Sequence, residues 1–238
     1  MYIIKRDTWL QKLNPDVTFV PELTLSRSLF SQEALDQTLI TWCGEVFGNP
    51  SKVFLDVGAH LGFYSWGLAS RFKHVHAFEP NPEVFNALCA NVLVKNLSDQ
   101  VTPHRFGLSD QTGLARYFVR SAVGLNNGFS HLGHDRDNGT PFKVRETKAL
   151  DSLQFDNIGF IKLDVEHHEL NVLVGAQDTL KRSDLPPIVF KSWSESHWTS
   201  DQFLLNEMRS DLFGFLDQLG YRVVPIQGYP EMFIAEKK

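Results

Sequence analysis

From residue 53 onward, short apolar runs alternate with stretches whose apolar residues recur every three or four positions. The first pattern predicts buried strands and the second predicts amphipathic helices. "KVFLDV" (52–57), "HVHAFEP" (74–80), "VTPHRFGLSD" (101–110), "FIKLDV" (160–165) and "PPIVFKSW" (186–193) read as five successive strands. Between them, residues 63–72 read as a helix, and "NPEVFNALCANVLVKN" as another with a complete start signal. Asn81 is placed to cap it, Pro82 to open its first turn and Glu83 to meet its positive end. Phe85, Leu88, Cys89 and Val92 then share one side, and Leu170, Leu173, Val174 and Leu180 line the helix after the fourth strand. Strand–helix alternation of this kind predicts a parallel sheet with crossover helices.

The end of the chain breaks the pattern. A stripe of Leu212, Phe215, Leu216 and Leu219 stops at Gly220, and "YRVVPI" and "MFIAEK" follow on either side of "QGYPE". Two strands joined by so short a link must run antiparallel. The expected fold is therefore α/β, a mostly parallel Rossmann-like sheet finished by a C-terminal antiparallel hairpin. Residues 1–50 carry one helical stripe, Leu35, Leu39, Trp42 and Val46, and read as a helical flap packed on a domain spanning 51–238. Residues 120–142 are polar and glycine-rich, and a connection that long is usually functional or disordered.

Composition narrows the picture without deciding it. A chain of 238 residues can bury one sizeable core, and its formal charge of −5 argues against a large nucleic-acid footprint, though not against a local basic groove. The two cysteines, Cys43 and Cys89, read as reduced core residues. No apolar run reaches the roughly 20 residues of a membrane span, and the opening segment is too short for a secretion signal. A cytoplasmic protein with no membrane partner is expected; the oligomeric state stays open.

The candidate chemistry starts at "VFLDVGAHLGFYS" (53–65), a loop with two glycines directly after a strand. A dinucleotide fingerprint needs a second glycine where His60 stands, and a phosphate loop needs Lys-Ser or Lys-Thr where Phe63 and Tyr64 stand. A loop that does not have to close on phosphate suits a cofactor without one, and S-adenosylmethionine fits. Glu79, at the end of the second strand, stands where nucleoside-binding α/β folds place a carboxylate on the ribose.

"FLDVGAHLGFYS", "HAFEPNP", "FGLSD" and "IKLDVEHHELNVLVGA" together resemble the FkbM-type family of S-adenosylmethionine-dependent methyltransferases. The resemblance implies a seven-stranded methyltransferase sheet and O-methylation of a sugar or other small-molecule hydroxyl. It implies that Asp56, Gly58 and Gly62 shape the methionine end of the cofactor site, with Ala59, His60, Tyr64 and Ser65 beside them. Glu79, with Pro80 and Asn81, would serve the ribose, and Leu108, Ser109 and Asp110 the adenine. Asp164 and Glu166 would face the transferred methyl. His60 and His167 depart from the asparagine and glycine usual in the family, and Lys191 stands near a usual glutamate.

Asp164 and His168 are the candidate bases for the acceptor hydroxyl, each against a plainer role: a helix-capping aspartate, and polar residues favouring a helix start in "EHHE" (166–169). Trp193, His197 and Trp198 suit stacking on a sugar ring or packing at a rim. His131 and His134, with Asp135, lack the further ligands of a metal site, so no metal is expected. The rival readings are a 2′-O-methyltransferase of RNA, suggested by Lys162 and Lys191, and a non-catalytic binding protein that keeps the fold. A NAD oxidoreductase fits least.

Overall fold

The computed structural model describes residues 27–118, 131–132, 142–192, 202–229 and 231–238. Helix α1 (Arg27–Phe47) leads into strand β1 (Asn49–Val57), helix α2 (Phe63–Leu68), β2 (Phe72–Phe78), α3 (Pro82–Val94) and β3 (Val101–His104). Four short strands follow: β4 (Gly107–Leu108), β5 (Gly113–Phe118), β6 (His131–Leu132) and β7 (Phe142–Lys148). Then come β8 (Ile158–Leu163), α4 (Glu169–Val174), α5 (Gln177–Arg182), β9 (Ile188–Lys191), α6 (Gln202–Leu219), β10 (Tyr221–Pro225) and β11 (Met232–Lys237).

Seven of the strands form one sheet in the order β10-β11-β9-β8-β1-β2-β3. Strands β3, β2, β1, β8 and β9 pair in parallel, whereas β11 pairs antiparallel with both β9 and β10. The expected hairpin is present, and β11 is the strand that runs against the rest. Strand β1 lies at the centre of the five strands that pair in parallel, and its alternation splits the core. Leu55 and Val57 pack with Ile161, Leu163, Leu173, Leu180, Phe190 and Leu216 on one face. Phe54 packs with Leu39, Cys43, Phe72, Leu88 and Phe160 on the other. Phe160 stacks against Phe54 at 5.2 Å and against Phe47 at 4.9 Å, joining α1 to the sheet. Fully burying side chains of this size is worth about 1.5–3 kcal/mol each, so these two layers hold the strand ends in place.

The helix start at Asn81 forms as expected: its side chain accepts from the Glu83 amide and Pro82 opens the helix. Other expectations are corrected. The buried face of α1 is Leu39, Ile40 and Cys43, while Trp42 and Val46 are exposed; Leu35 lies outside the described side chains. Burial pushes the Cys43 thiol up to about 12, and both cysteines are free. The run 101–110 is two strands in two sheets, because β4 leaves the main sheet to pair with β7. Strands β4, β7, β5 and β6 form a second sheet that the apolar pattern had not disclosed. The helix after β8 breaks at Gly175 and Ala176 into α4 and α5, which leaves Val174 exposed. A side chain at Gly175 would collide with the Ser109 carbonyl, so the break is where this helix touches the second sheet. No helix among the described residues is long and apolar enough to cross a membrane.

Candidate active site

The carboxyl ends of β1, β2 and β8 meet at one edge of the sheet, where open α/β sheets bind ligands. Asp56 is buried there and accepts a hydrogen bond from Ser65 Oγ of α2 at 2.5 Å. Burial pushes its carboxyl up to about 6, against the opposing pull of Ser65 and Lys162. Beyond it the chain turns sharply, and the amides of Gly58 and Ala59 both donate to the Phe78 carbonyl at 3.0 Å. Gly58 has φ +80, and a Cβ on it would fall inside the Asp164 carbonyl oxygen. Only glycine lets the β1 loop lie this close to the end of β8. Gly62, also left-handed, starts α2.

Glu79 ties two of these loops together. Its Oε2 accepts from the His60 amide at 3.1 Å and its Oε1 from the Asn81 amide at 2.8 Å. Despite both donors, burial pushes the carboxyl up to about 7. Pro80 sits half-buried between Glu79 and the Asn81 cap. Each carboxylate oxygen has a second lone pair, so Glu79 can still receive ligand hydroxyls.

The end of β8 carries the densest charge. Lys162, 3% exposed, donates to Asp164 Oδ2 at 3.2 Å, and its ammonium lies 4.9 Å from the centre of the Tyr64 ring. Burial works to raise the Asp164 carboxyl, but Lys162 and Lys191 outweigh it and hold Asp164 below the usual carboxylate range. Glu166 goes the other way: burial, reinforced by Asp164, pushes it well up. Burial likewise lifts Glu169 to about 7, although its Oε1 accepts from the Val165 amide at 3.1 Å. His60, brought to the same place by the β1 loop, is held down to about 4 by burial. Two buried polar atoms here make no hydrogen bond within the protein, His60 Nε2 and Asp164 Oδ1.

A third wall comes from the second sheet. Leu108 and Ser109 are buried at the end of β4, and Asp110 is exposed beside them. Ser109 Oγ donates to Asp110 Oδ1 at 2.8 Å and lies 2.9 Å from His168 Nε2. With its one proton given to Asp110, the hydroxyl accepts from Nε2–H, which fixes where that proton sits on His168. His168 thus joins the start of α4 to the Ser109 wall.

Beside the acidic cluster, a cavity of about 170 Å³ opens between α4 and α6, lined by His167, Glu169, Asn171, Ser192, Met208 and Arg209 among others. Arg209 was not singled out from the sequence. Its Nε donates to Ser192 Oγ at 3.1 Å and its Nη2 to the Ser192 carbonyl. The available signal was an arginine interrupting the apolar side of α6 between Leu205 and Leu212. No group of three or more histidine, cysteine, aspartate or glutamate side chains among the described residues is arranged to hold a metal ion. The side chain of His131, and all of His134, Asp135, Trp193, His197 and Trp198, lie outside the described residues.

Comparison with known proteins places this arrangement. The profile of the methyltransferase FkbM domain matches residues 56–223, and the chain belongs to that family. It is 31% identical over 129 residues to the hexuronic acid methyltransferase AglP of Haloferax volcanii, covering 54% of this chain and 52% of that protein. It is 29% identical to the 31-O-demethyl-FK506 methyltransferase FkbM of Streptomyces tacrolimicus, covering 55% of this chain and 61% of that one. The chain thus spans only 52–61% of the length of these curated relatives. Among solved structures, the FkbM methyltransferase from Methylobacillus flagellatus matches with a TM-score of 0.53 at 18% identity, over 78% of this chain and 43% of that one. The Podospora anserina methyltransferase PaMTH1, solved with S-adenosylhomocysteine bound, matches with a TM-score of 0.51 at 13% identity, over 98% and 86%. At these identities the structures establish a shared fold.

Proposed function

We propose that the protein is an S-adenosylmethionine-dependent methyltransferase acting on a hydroxyl of a sugar or other small molecule. The observation that carries this reading is the charge of the site. Burial raises the carboxyls of Asp56, Glu79, Glu166 and Glu169 around one small volume, facing the cations Lys162 and Lys191. Carboxyls raised in this way ionise fully only beside a positive charge, so the volume favours a ligand that brings one over a pyrophosphate. Bound there, a sulfonium cofactor supplies an activated methyl group.

In this reading Asp56, Ser65 and the glycine turn at 58–62 shape the methionine end. Glu79 offers its remaining lone pairs to the ribose hydroxyls. Leu108, Ser109 and Asp110 wall the adenine, and His168 braces that wall through Ser109. Asp164, held ionised by its lysines, is a weak proton acceptor, because a base works best with a pKa near the working pH. Glu166, pushed up by burial, is the stronger base for the acceptor hydroxyl. The cavity between α4 and α6 supports a small acceptor: at about 170 Å³ it lies below the roughly 300–1,000 Å³ of drug-sized pockets. Lys162, whose charge had favoured RNA, is buried against Asp164 and has no free face for a phosphate. The reading also takes residues 1–50 as a flap on the domain 51–238. In the described part, Ile40 of α1 packs against Gly67 of α2.

Calorimetry with S-adenosylmethionine, S-adenosylhomocysteine and NAD tests the cofactor, and methyl transfer to a panel of sugars and small alcohols tests the acceptor. Binding of the first two without NAD is expected. NAD binding with no response to the other two overturns the proposal.

A further inference from the structure

Beside the acidic site stands a cation to which the cofactor reading gives no task. Arg209 lines the cavity of about 170 Å³ between α4 and α6, together with His167, Glu169, Asn171, Ser192 and Met208. Its guanidinium is set in place by the protein itself. Nε donates to Ser192 Oγ at 3.1 Å, Nη2 donates to the Ser192 carbonyl, and the guanidinium carbon lies 5.3 Å from the centre of the Phe233 ring. Ser192 is fixed in turn, because its amide donates to the Glu231 carbonyl at 2.9 Å. Holding α6 to the end of β9 accounts for two of an arginine's five N–H donors, and the rest belong to Nη1 and Nη2. Among the described residues no carboxylate accepts a hydrogen bond from Arg209. Burial works against its charge, and Glu231 offsets that only in part.

Resting on the acceptor reading above, we propose that the acceptor carries a carboxylate of its own and that Arg209 holds it in this cavity, selecting a small hydroxy acid over its neutral counterpart. The Nη1–Nη2 end of a guanidinium is the fork that meets a carboxylate through two parallel hydrogen bonds. Ser192 and Phe233 hold the fork ready, so little side-chain freedom is lost on binding. The other charges of the cavity limit how negative the ligand can be. Glu169 is on the same lining, with burial lifting its carboxyl to about 7, and Asp211 is exposed at the rim. One cation beside two acids suits a single negative charge better than the two of a phosphate. Leu205, Met208 and Leu212 give the carbon skeleton an apolar side. His167 follows Glu166 directly in the chain, so a molecule anchored on Arg209 lies along the turn that carries the proposed base.

The test is calorimetry on protein saturated with S-adenosylhomocysteine, using pairs that differ by one carboxylate: glucuronate against glucose, galacturonate against galactose, and glycerate against glycerol. Glucose 6-phosphate and glycerol 3-phosphate supply the dianions. At least one acid should bind on the order of 10-fold or more tighter than its neutral partner, as expected for two charge-assisted hydrogen bonds, and tighter than either phosphate. Arg209→Gln should bring that acid down to the level of its neutral partner while the affinity for S-adenosylhomocysteine holds. Arg209→Lys keeps the charge without the fork and should retain part of the preference. A role confined to holding α6 on β9 would weaken acid and neutral partner equally. That result, or wild-type protein with no preference for any of the acids, refutes the inference alone, and the wild-type ratio decides even where Arg209→Gln fails to fold. A phosphate that binds more tightly than every acid overturns the choice of carboxylate. If S-adenosylhomocysteine does not bind, the cofactor reading itself falls, and the inference with it.

Discussion

Replacing Glu79 by glutamine removes one buried carboxyl and keeps its shape. Its folded pKa is raised to about 7 from an ordinary 4.5. The folded state therefore holds a proton that the unfolded state has lost across that window. Stability from this group is fully present at low pH and drains as pH rises through about 7. Linkage with those two values gives the folded state about 0.8 kcal/mol at pH 6.5 and about 0.1 kcal/mol at pH 8. Wild-type protein alone does not show this cleanly. His60, His76 and His104 are held down to about 4, so they lose stability as pH falls below their ordinary 6.5, with the opposite sign. These histidines are common to both proteins and cancel in the difference. Glutamine also misplaces one N–H donor against the amides of His60 and Asn81, a cost of about 1–3 kcal/mol that does not vary with pH. The measurement is the gap between the melting temperatures of the two proteins at pH 6.5 and at pH 8. It should move by about 2–3 °C in favour of Glu79→Gln as pH rises, since 1 kcal/mol shifts a chain of this size by about 2–4 °C. A gap that stays constant, or moves the other way, refutes the claim that Glu79 is protonated in the free site.

Four further outcomes follow from the same geometry. Gly58→Ala places a methyl on the Asp164 carbonyl at a left-handed position, and should cost about 2–4 kcal/mol in denaturant unfolding while weakening S-adenosylhomocysteine binding; unchanged values for both would show that the loop gives way freely. His167→Gly relieves a side chain at φ 74 and should leave stability equal or up to about 1 kcal/mol higher, so a clear loss would mean that the imidazole makes a contact worth more than its strain. Ser109→Ala removes the acceptor for His168 Nε2–H and should lower stability by about 1–3 kcal/mol while turnover survives; lost turnover with an intact fold would return His168 to the chemistry. Glu166→Gln should cut turnover by about 10²–10⁴-fold with cofactor affinity kept, and near-normal turnover would remove Glu166 as the proton acceptor.

Much of the main sheet could be read from the chain because its strands are short, apolar and separated by helices with their own start signals. The Asn81–Pro82–Glu83 start and the terminal hairpin are local features, and local features show in sequence. The second sheet is not local. Strands β5 and β7 pair Leu114 with Glu146 and Arg116 with Val144, exposing both members of these two pairs, so neither strand has the apolar run that marks β1 or β8. The break between α4 and α5 was hidden for a similar reason: Gly175 is required by the Ser109 carbonyl, a contact from another part of the chain. In α1 the stripe through Trp42 and Val46 fits helical spacing as well as Leu39, Ile40 and Cys43 do, and only the position of Phe54 and Phe72 decides between them. Asp56, Glu79 and Asp164 were legible because strand ends and glycine turns mark the ligand-binding edge. The direction of their charge was not. Lys162 faces Asp164 because the two side chains alternate onto one side of β8, and Glu166 escapes that pairing because the chain has already turned left-handed there.

The central place of β1 also has a cost during folding. Its pairing with β2, Leu55 opposite His76, closes a short stretch of chain, whereas its pairing with β8 joins Val53 to Ile158. Closing a loop of on the order of 100 residues costs about 4 kcal/mol of chain entropy, against about 3 kcal/mol for on the order of 20. Strands β1, β2 and β3 with helices α2 and α3 can therefore assemble first, leaving the far edge of β1 open until β8 arrives. That edge is Val53, Phe54, Leu55 and Val57, an apolar strand with free backbone donors and acceptors, the kind of surface that recruits other unfinished chains. The strand that delivers Asp56 to the site is thus a segment open to wrong pairing until β8 arrives.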